Sequence, residues 1–293
     1  MATIDQTRRM ATAEVVAAFR AADRMRPPPE RIFDDPYAEL FVTDPRLRRL
    51  LDHPRLVRLI LRWRELLTPG IVGGALLRYR YADDVLREAS ASGVRQLVLL
   101  GAGFDSTTLR RPAGDGMPTY ELDLPEVLEA KRDLLARHGL GDAPGVARVA
   151  CDLSRETVGS ALGRTDFDGG APALFNWLGV TMFLDRESVE ATVRDVAGTA
   201  AHGSRLLFDY IDRSVADGTT ADRGARRAAR DVRRRGEPFR FGLDRDEVER
   251  WIAPLGFRLL RHETPDDVMR RYFPRGGPLQ APNYFGLVLA ESG

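Results

Sequence analysis

Two features of this 293-residue sequence bring together residue types that could bind a nucleotide-like ligand: the run Gly101-Ala102-Gly103-Phe104-Asp105-Ser106, and Asp123, 20 residues beyond Gly103. A glycine turn lets a ligand approach the main chain, because no Cβ stands in the way. The pair alone is weak, since many tight strand-to-helix turns use it with no ligand. An acidic side chain at the later position can accept hydrogen bonds from both ribose hydroxyls of an adenosine. Asp123 could equally cap the helix that Pro125 opens, and Glu121 could compete for the sugar. Asp152 and Leu153 stand where an adenine would lie, one to accept from its amino group and one to cover the ring, although Asp152 could simply cap the next helix.

The third glycine of a dinucleotide-binding turn is missing, and Ser106 stands in its place. That glycine allows close helix packing with a pyrophosphate at the helix N-terminus. Its loss, with the negative charge of Asp105 beside it, disfavours a phosphate ligand. A cationic adenosine without phosphate fits better, and S-adenosylmethionine is one. Its carboxylate would call for an arginine, whose planar fork pairs with carboxylates bidentately.

These residues must be positioned by alternating elements. Gln96–Leu100 is a short apolar run, as expected of a strand buried on both faces. Further strands are expected over 119–122, 146–150, 173–177 and 206–211, with helices following Pro125 and Asp185. This rhythm predicts a parallel sheet wound by right-handed crossovers. The last two strands, 257–260 and 284–290, show no convincing helix between them and are expected as an antiparallel pair. Residues 1–92 read as proline-broken helices forming a lid, with one helix over 78–91. Residues 93–293 read as the core, with a polar, arginine-rich helical insertion at about 213–238. Asp244 and Glu247 stand at capping-box spacing before Val248.

Composition narrows the function classes. The length suits one large α/β domain or two modest ones. A hydrophobic fraction of 43% argues against disorder, and a net charge of +1 gives no general case for nucleic acid or an anionic membrane. One cysteine excludes a disulfide framework, and four histidines without ligand spacing argue against a transition metal. No secretory signal or spanning run is evident, so the expectation is a cytoplasmic protein, monomer or homodimer. Lys131 is the only lysine, so the arginine abundance reads as codon bias.

The chain resembles the leucine carboxyl methyltransferase family of S-adenosylmethionine-dependent enzymes, especially its bacterial branch. The segments that carry the resemblance are Arg78–Asp84, Arg95–Ser106, Tyr120–Val127 with Lys131, Cys151-Asp152-Leu153 and Leu178–Leu184. Phe33–Ala38 and Phe239–Leu243 are similar too, so the likeness runs along nearly the whole chain. It implies a Rossmann-like, seven-stranded methyltransferase sheet with the last strand antiparallel. It also implies that Arg78 holds the methionine carboxylate, that Gly101, Ala102, Gly103, Asp105 and Leu124 lie close to the cofactor, and that Asp123 holds the ribose. Asp152 and Leu153 would border the adenine. Many members carry a glutamate where this chain has Leu178, and Asn176 is near enough to supply a polar contact instead.

Methyl transfer from a sulfonium is an in-line displacement governed by alignment. A carboxylate acceptor is already ionised near neutral pH and needs no base. No His–Asp constellation is evident in the core segments, which, like the resemblance, favours a carboxylate acceptor; the expected substrate is a small natural product, with S-adenosylhomocysteine as co-product. A phenolic or alcohol hydroxyl, a nicotinamide-dependent oxidoreductase and a catalytically silent cofactor binder are the alternatives. Trp177, Met182, Phe183 and Tyr210 are candidate walls for the acceptor, and Arg240, with Arg270 and Arg271, a candidate for its charge.

Overall fold

The strand Gln96–Leu100 (β1) is buried at every position and lies in the interior of a mixed sheet. The computed structural model describes residues 2–112, 115–141 and 143–293, with side chains from Thr12 onward. The other strands are Thr119–Asp123 (β2), Val146–Ala150 (β3), Ala173–Trp177 (β4), Arg205–Asp212 (β5), Gly242–Leu243 (β6), Phe257–Glu263 (β7) and Phe285–Ser292 (β8). Their order is β3-β2-β1-β4-β5-β8-β7, and the two-residue β6 adds an eighth strand beside β5. β1 to β6 pair in parallel, and β8 runs antiparallel between β5 and β7.

The helices are Ala2–Arg24 (α1), Pro45–Leu51 (α2), Pro54–Leu67 (α3), Ile71–Ala91 (α4), Thr107–Arg110 (α5), Pro125–Arg137 (α6), Val158–Leu162 (α7), Arg186–Thr199 (α8), Arg213–Ala216 (α9), Arg223–Arg234 (α10), Val248–Ile252 (α11) and Pro265–Tyr272 (α12). Strand side chains alternate between two apolar layers, as the two-residue period requires. Leu97, Leu99, Leu174, Leu207 and Leu289 join one cluster with α1, α4, α6 and α12. Val98, Leu100, Phe175, Leu206 and Phe208 join the other with α7, α8 and α11. The buried residues of the first 92 positions therefore share a core with the sheet.

The expected strands all form, and β1, β3 and β4 have the expected bounds. Three differences have local causes. The helix expected over 78–91 begins at Ile71. Gly73 and Gly74 look like breakers but admit the C-terminal segment, since a Cβ on Gly73 would lie 2.1 Å from the Gln280 carbonyl oxygen. A helix does stand between the last two strands: α12 is opened by a reciprocal capping box of Thr264 and Asp267. The strand β6 is two residues long, too short to leave a periodic signal. Among the described residues no helix is long and apolar enough to cross a membrane.

Candidate functional site

The strand order reverses between β1 and β4, and a ligand crevice is expected beyond their carboxyl ends. A cavity of about 210 Å³ opens there, lined by Gly101, Ala102, Gly103, Asp105, Asp123 and Asn176, with Arg78 entering from α4. A recess of about 60 Å³ continues past Asp123 along Leu124, Asp152 and Leu153. Gly101, Asp123, Val180 and Leu184 border both spaces. All ten residues expected at the cofactor thus lie around one elongated crevice.

The glycine turn is built as the ligand-approach reading requires. Gly101 and Gly103 have φ of +68° and +44°, conformations that L side chains rarely adopt. A Cβ on Gly101 would meet Val180 Cγ2 at 2.5 Å, so main chain forms that part of the floor. The Gly103 and Leu124 N–H groups donate to the Asp123 carboxylate at 2.6 and 2.7 Å. Asp123 therefore ties β2 back to the turn after β1 and holds the Leu124 N–H at the entrance to α6. Glu121 is fully buried against Lys131 at 2.9 Å and Arg148 at 3.1 Å, which removes it from competition for a sugar. Asp152 borders the recess and accepts from the Ser154 N–H at 3.0 Å in a local turn, whereas α7 is capped by Thr157, whose side chain accepts from the Ser160 N–H.

Asp105 accepts from the Thr107 N–H at 2.6 Å. Burial alone would raise its pKa, but Arg110, Lys131 and its bonds to Thr107 outweigh that and hold it below the ordinary value. The cavity thus keeps an ionised carboxylate beside the turn. Arg78 pairs with Asp209 of β5 at 3.2 Å, and Asp209 also accepts from the Gly179 N–H at 2.7 Å. Asn176 is 8% exposed, and its Oδ1 finds no hydrogen-bond partner among the described residues. A buried, unsatisfied oxygen at a cavity wall is costly unless a ligand donates to it.

Of the candidate acceptor contacts, Phe183 lines the cavity. Trp177 is fully buried in the apolar layer under α8, and Met182 packs with Ile211 and Tyr284. Tyr210 is buried as well, its hydroxyl 2.8 Å from His262 Nε2. Arg240 is exposed outside the cavity, its N–H bonded to the Met182 carbonyl at 2.8 Å. Arg270 pairs with Asp266 and Asp267, and Arg271 with Glu263 at 2.9 Å. These residues follow central strands or sit late in the chain, positions that do not fix which way a side chain turns.

Sequence reasoning passed over several lining residues. Thr12 and Glu237 meet in a hydrogen bond between α1 and the segment after α10, and both face the cavity. Tyr79 lines it under the Arg20 guanidinium, 4.6 Å from the ring centre. Asp209 carried a readable signal, as an acid amid the apolar run of β5.

A sheet of this order, with its crevice at the reversal point and an acid as the last residue of the second strand, is that of the Rossmann-like methyltransferase class. A solved methyltransferase candidate from Thermobifida fusca shares the fold, with a TM-score of 0.58 at 18% identity over 81% of this chain and 88% of that one. The chain belongs to the leucine carboxyl methyltransferase family, whose pattern it matches over residues 13–197. A protein of Mycobacterium avium, named as an S-adenosyl-L-methionine-dependent methyltransferase, is 30% identical over 97% of this chain and 95% of its own length. One of the same name from Mycolicibacterium gilvum is 34% identical over 69% of this chain and 66% of its own length.

Proposed function

We propose that this S-adenosylmethionine-dependent methyltransferase esterifies a carboxylate on a small-molecule acid. The observation that carries the carboxyl reading is membership of a family named for that reaction, together with a cavity wall that contains no histidine. The residues present suit the cofactor. Arg78 would hold its carboxylate, Asn176 Oδ1 would accept from its ammonium, Asp123 would hold the ribose, and Asp152 with Leu153 would border the adenine.

When bound, the cofactor supplies an electrophilic methyl group on a positively charged sulfur. Asp105 and Asp123 give the crevice a negative potential suited to that charge. Leu178, Phe183 and Leu184 provide an apolar wall that excludes water around the acceptor. The Thr12–Glu237 bond joins α1 to the insertion across the mouth. An ionised acceptor needs no proton removed, so the protein's work is alignment. A second reading, methylation of a hydroxyl, is favoured by one observation: Glu237 places a carboxylate on the cavity where a base would serve.

Labelled product separates the two. A methyl ester releases methanol in mild alkali, whereas an ether keeps its label, and an alkali-stable label would replace the carboxyl reading with the hydroxyl one. Under the carboxyl reading Glu237→Gln should leave the pH profile of turnover unchanged. Under the hydroxyl reading it should abolish the acid limb of that profile. Asp123→Ala is expected to weaken cofactor binding by about 1.5–3 kcal/mol, the scale of hydrogen bonds to a charged group. Calorimetry with S-adenosylhomocysteine checks this, and an unchanged dissociation constant would remove Asp123 from the ribose site.

A further inference from the structure

Among the described residues, the exposed large apolar side chains gather on one helix. Leu56, Leu59, Trp63 and Leu66 follow one another at helical spacing along α3, joined by Leu67, with exposures from 45% for Leu56 to 72% for Leu66. The opposite side of α3 is its anchor, where Val57 and Leu61 are buried. Immediately beside the apolar row runs a second row, Arg55, Arg58 and Arg62, all exposed. The neighbouring α10 adds Arg226, Arg230 and Arg233, also exposed, and is tied to α3 by Arg227 Nη1 donating to the Leu67 carbonyl at 3.1 Å.

The charge here is local. Residues 45–67 and 223–235 hold fourteen arginines against Asp52, Glu65 and Asp231, an excess of eleven on a chain whose net charge is +1. Codon bias explains the abundance of arginine but not this distribution. Elsewhere arginines commonly meet carboxylates, as Arg20, Arg110, Arg148 and Arg213 do. Among the described residues none of the six exposed arginines just named on α3 and α10 enters an ion pair.

We infer that α3 and α10 form a docking surface for an anionic lipid membrane. Leucines and a tryptophan outward on a helix, with arginines at their flank, match what enters the headgroup boundary of a bilayer. The unpaired arginines complement anionic headgroups. A second copy of the chain fits poorly, because a two-fold contact would set the same unpaired charges against each other. An acidic protein is less favoured, because the apolar side chains project from a helix instead of lining a recess that a folded partner would fill. Docking would bring the lipid close to the crevice, since α10 ends three residues before the cavity-lining Glu237.

The test is co-sedimentation of the full chain with vesicles of phosphatidylcholine alone and of phosphatidylcholine mixed with phosphatidylglycerol. Binding to the mixed vesicles alone, weakening as salt rises, is expected. Trp63 emission should shift to the blue, a change that Trp63→Phe removes while binding persists. Arg58→Ala with Arg62→Ala should lower partitioning about thirtyfold, and Trp63→Ser with Leu66→Ser should also lower it. Unchanged urea midpoints and S-adenosylhomocysteine affinity in these variants exclude misfolding, and neither measurement depends on the acceptor. Absence of binding at low salt would overturn the inference. So would binding that ignores both double variants, a dimer that either variant dissociates, or retention by an acidic protein or duplex DNA in place of vesicles.

Discussion

Replacing Asp35 with alanine should lower the stability of the fold by about 3–5 kcal/mol, the usual cost of stranding one member of a buried ion pair. Asp35 and Arg20 have side chains 0% and 1% exposed, with Arg20 Nη1 2.7 Å from the carboxylate. The guanidinium also donates to the Phe104 carbonyl at 2.6 Å and to Ser106 Oγ at 3.0 Å. Ser106 in turn donates to Asp35 at 2.6 Å and accepts from Arg110 Nη1 at 2.5 Å, while Arg110 Nη2 reaches Asp83 of α4 at 2.7 Å. One network therefore holds α1, α4 and the segment of Asp35 against the turn that floors the crevice. Without Asp35 the arginine remains buried with its charge uncompensated. The turn loses its brace, so affinity for S-adenosylhomocysteine should fall together with the urea midpoint. Asp35→Asn keeps the shape and one acceptor and should cost less. A midpoint and affinity both unchanged in Asp35→Ala would show that Arg20 does not depend on this partner.

The same network shows how far the sequence could be read. The glycine turn, Asp123 and the strand ends were legible because period-two apolar runs and their turn residues are local signals. Ser106 was legible only as a departure, the absent third glycine. Its reason lies in a hydrogen bond to a residue 71 positions earlier, and no local pattern encodes that. The early segment Phe33–Ala38 carries no spacing that reveals a role, and only the fold sets Asp35 against Arg20 and Ser106. The acceptor wall was the least legible part. Phe183 faces the cavity while Met182, its neighbour, packs beneath the insertion, because a single 3-10 turn sends adjacent side chains in different directions. The surface patch escaped for the opposite reason. The charge balance of the whole chain averaged it away, and only folding set α3 beside α10.

Arg78→Ala should do two things that a single variant cannot separate. Asp209 is 2% exposed, and its partners are Arg78 at 3.2 Å and the Gly179 N–H at 2.7 Å. Burial already raises its pKa, opposed by Arg78 and by the backbone bond. Removing Arg78 takes away the larger opposing influence, so the pKa climbs further. The native state then holds the proton more tightly than the unfolded chain, and stability falls as pH rises from the unfolded carboxylate value towards the raised native one. At neutral pH the variant should lose about 3–5 kcal/mol, and the deficit should shrink as acid protonates Asp209. Cofactor affinity should fall as well, by about 1.5–3 kcal/mol if Arg78 grips a carboxylate. The double variant Arg78→Ala with Asp209→Asn separates these effects. Its side chain at 209 is neutral, so most of the stability and nearly all of the added pH dependence should be restored. The affinity for S-adenosylhomocysteine should stay low, because the guanidinium is still missing. Recovery of stability and affinity together would mean that Arg78 serves the fold alone, and the carboxylate of the cofactor would then need another partner in the crevice.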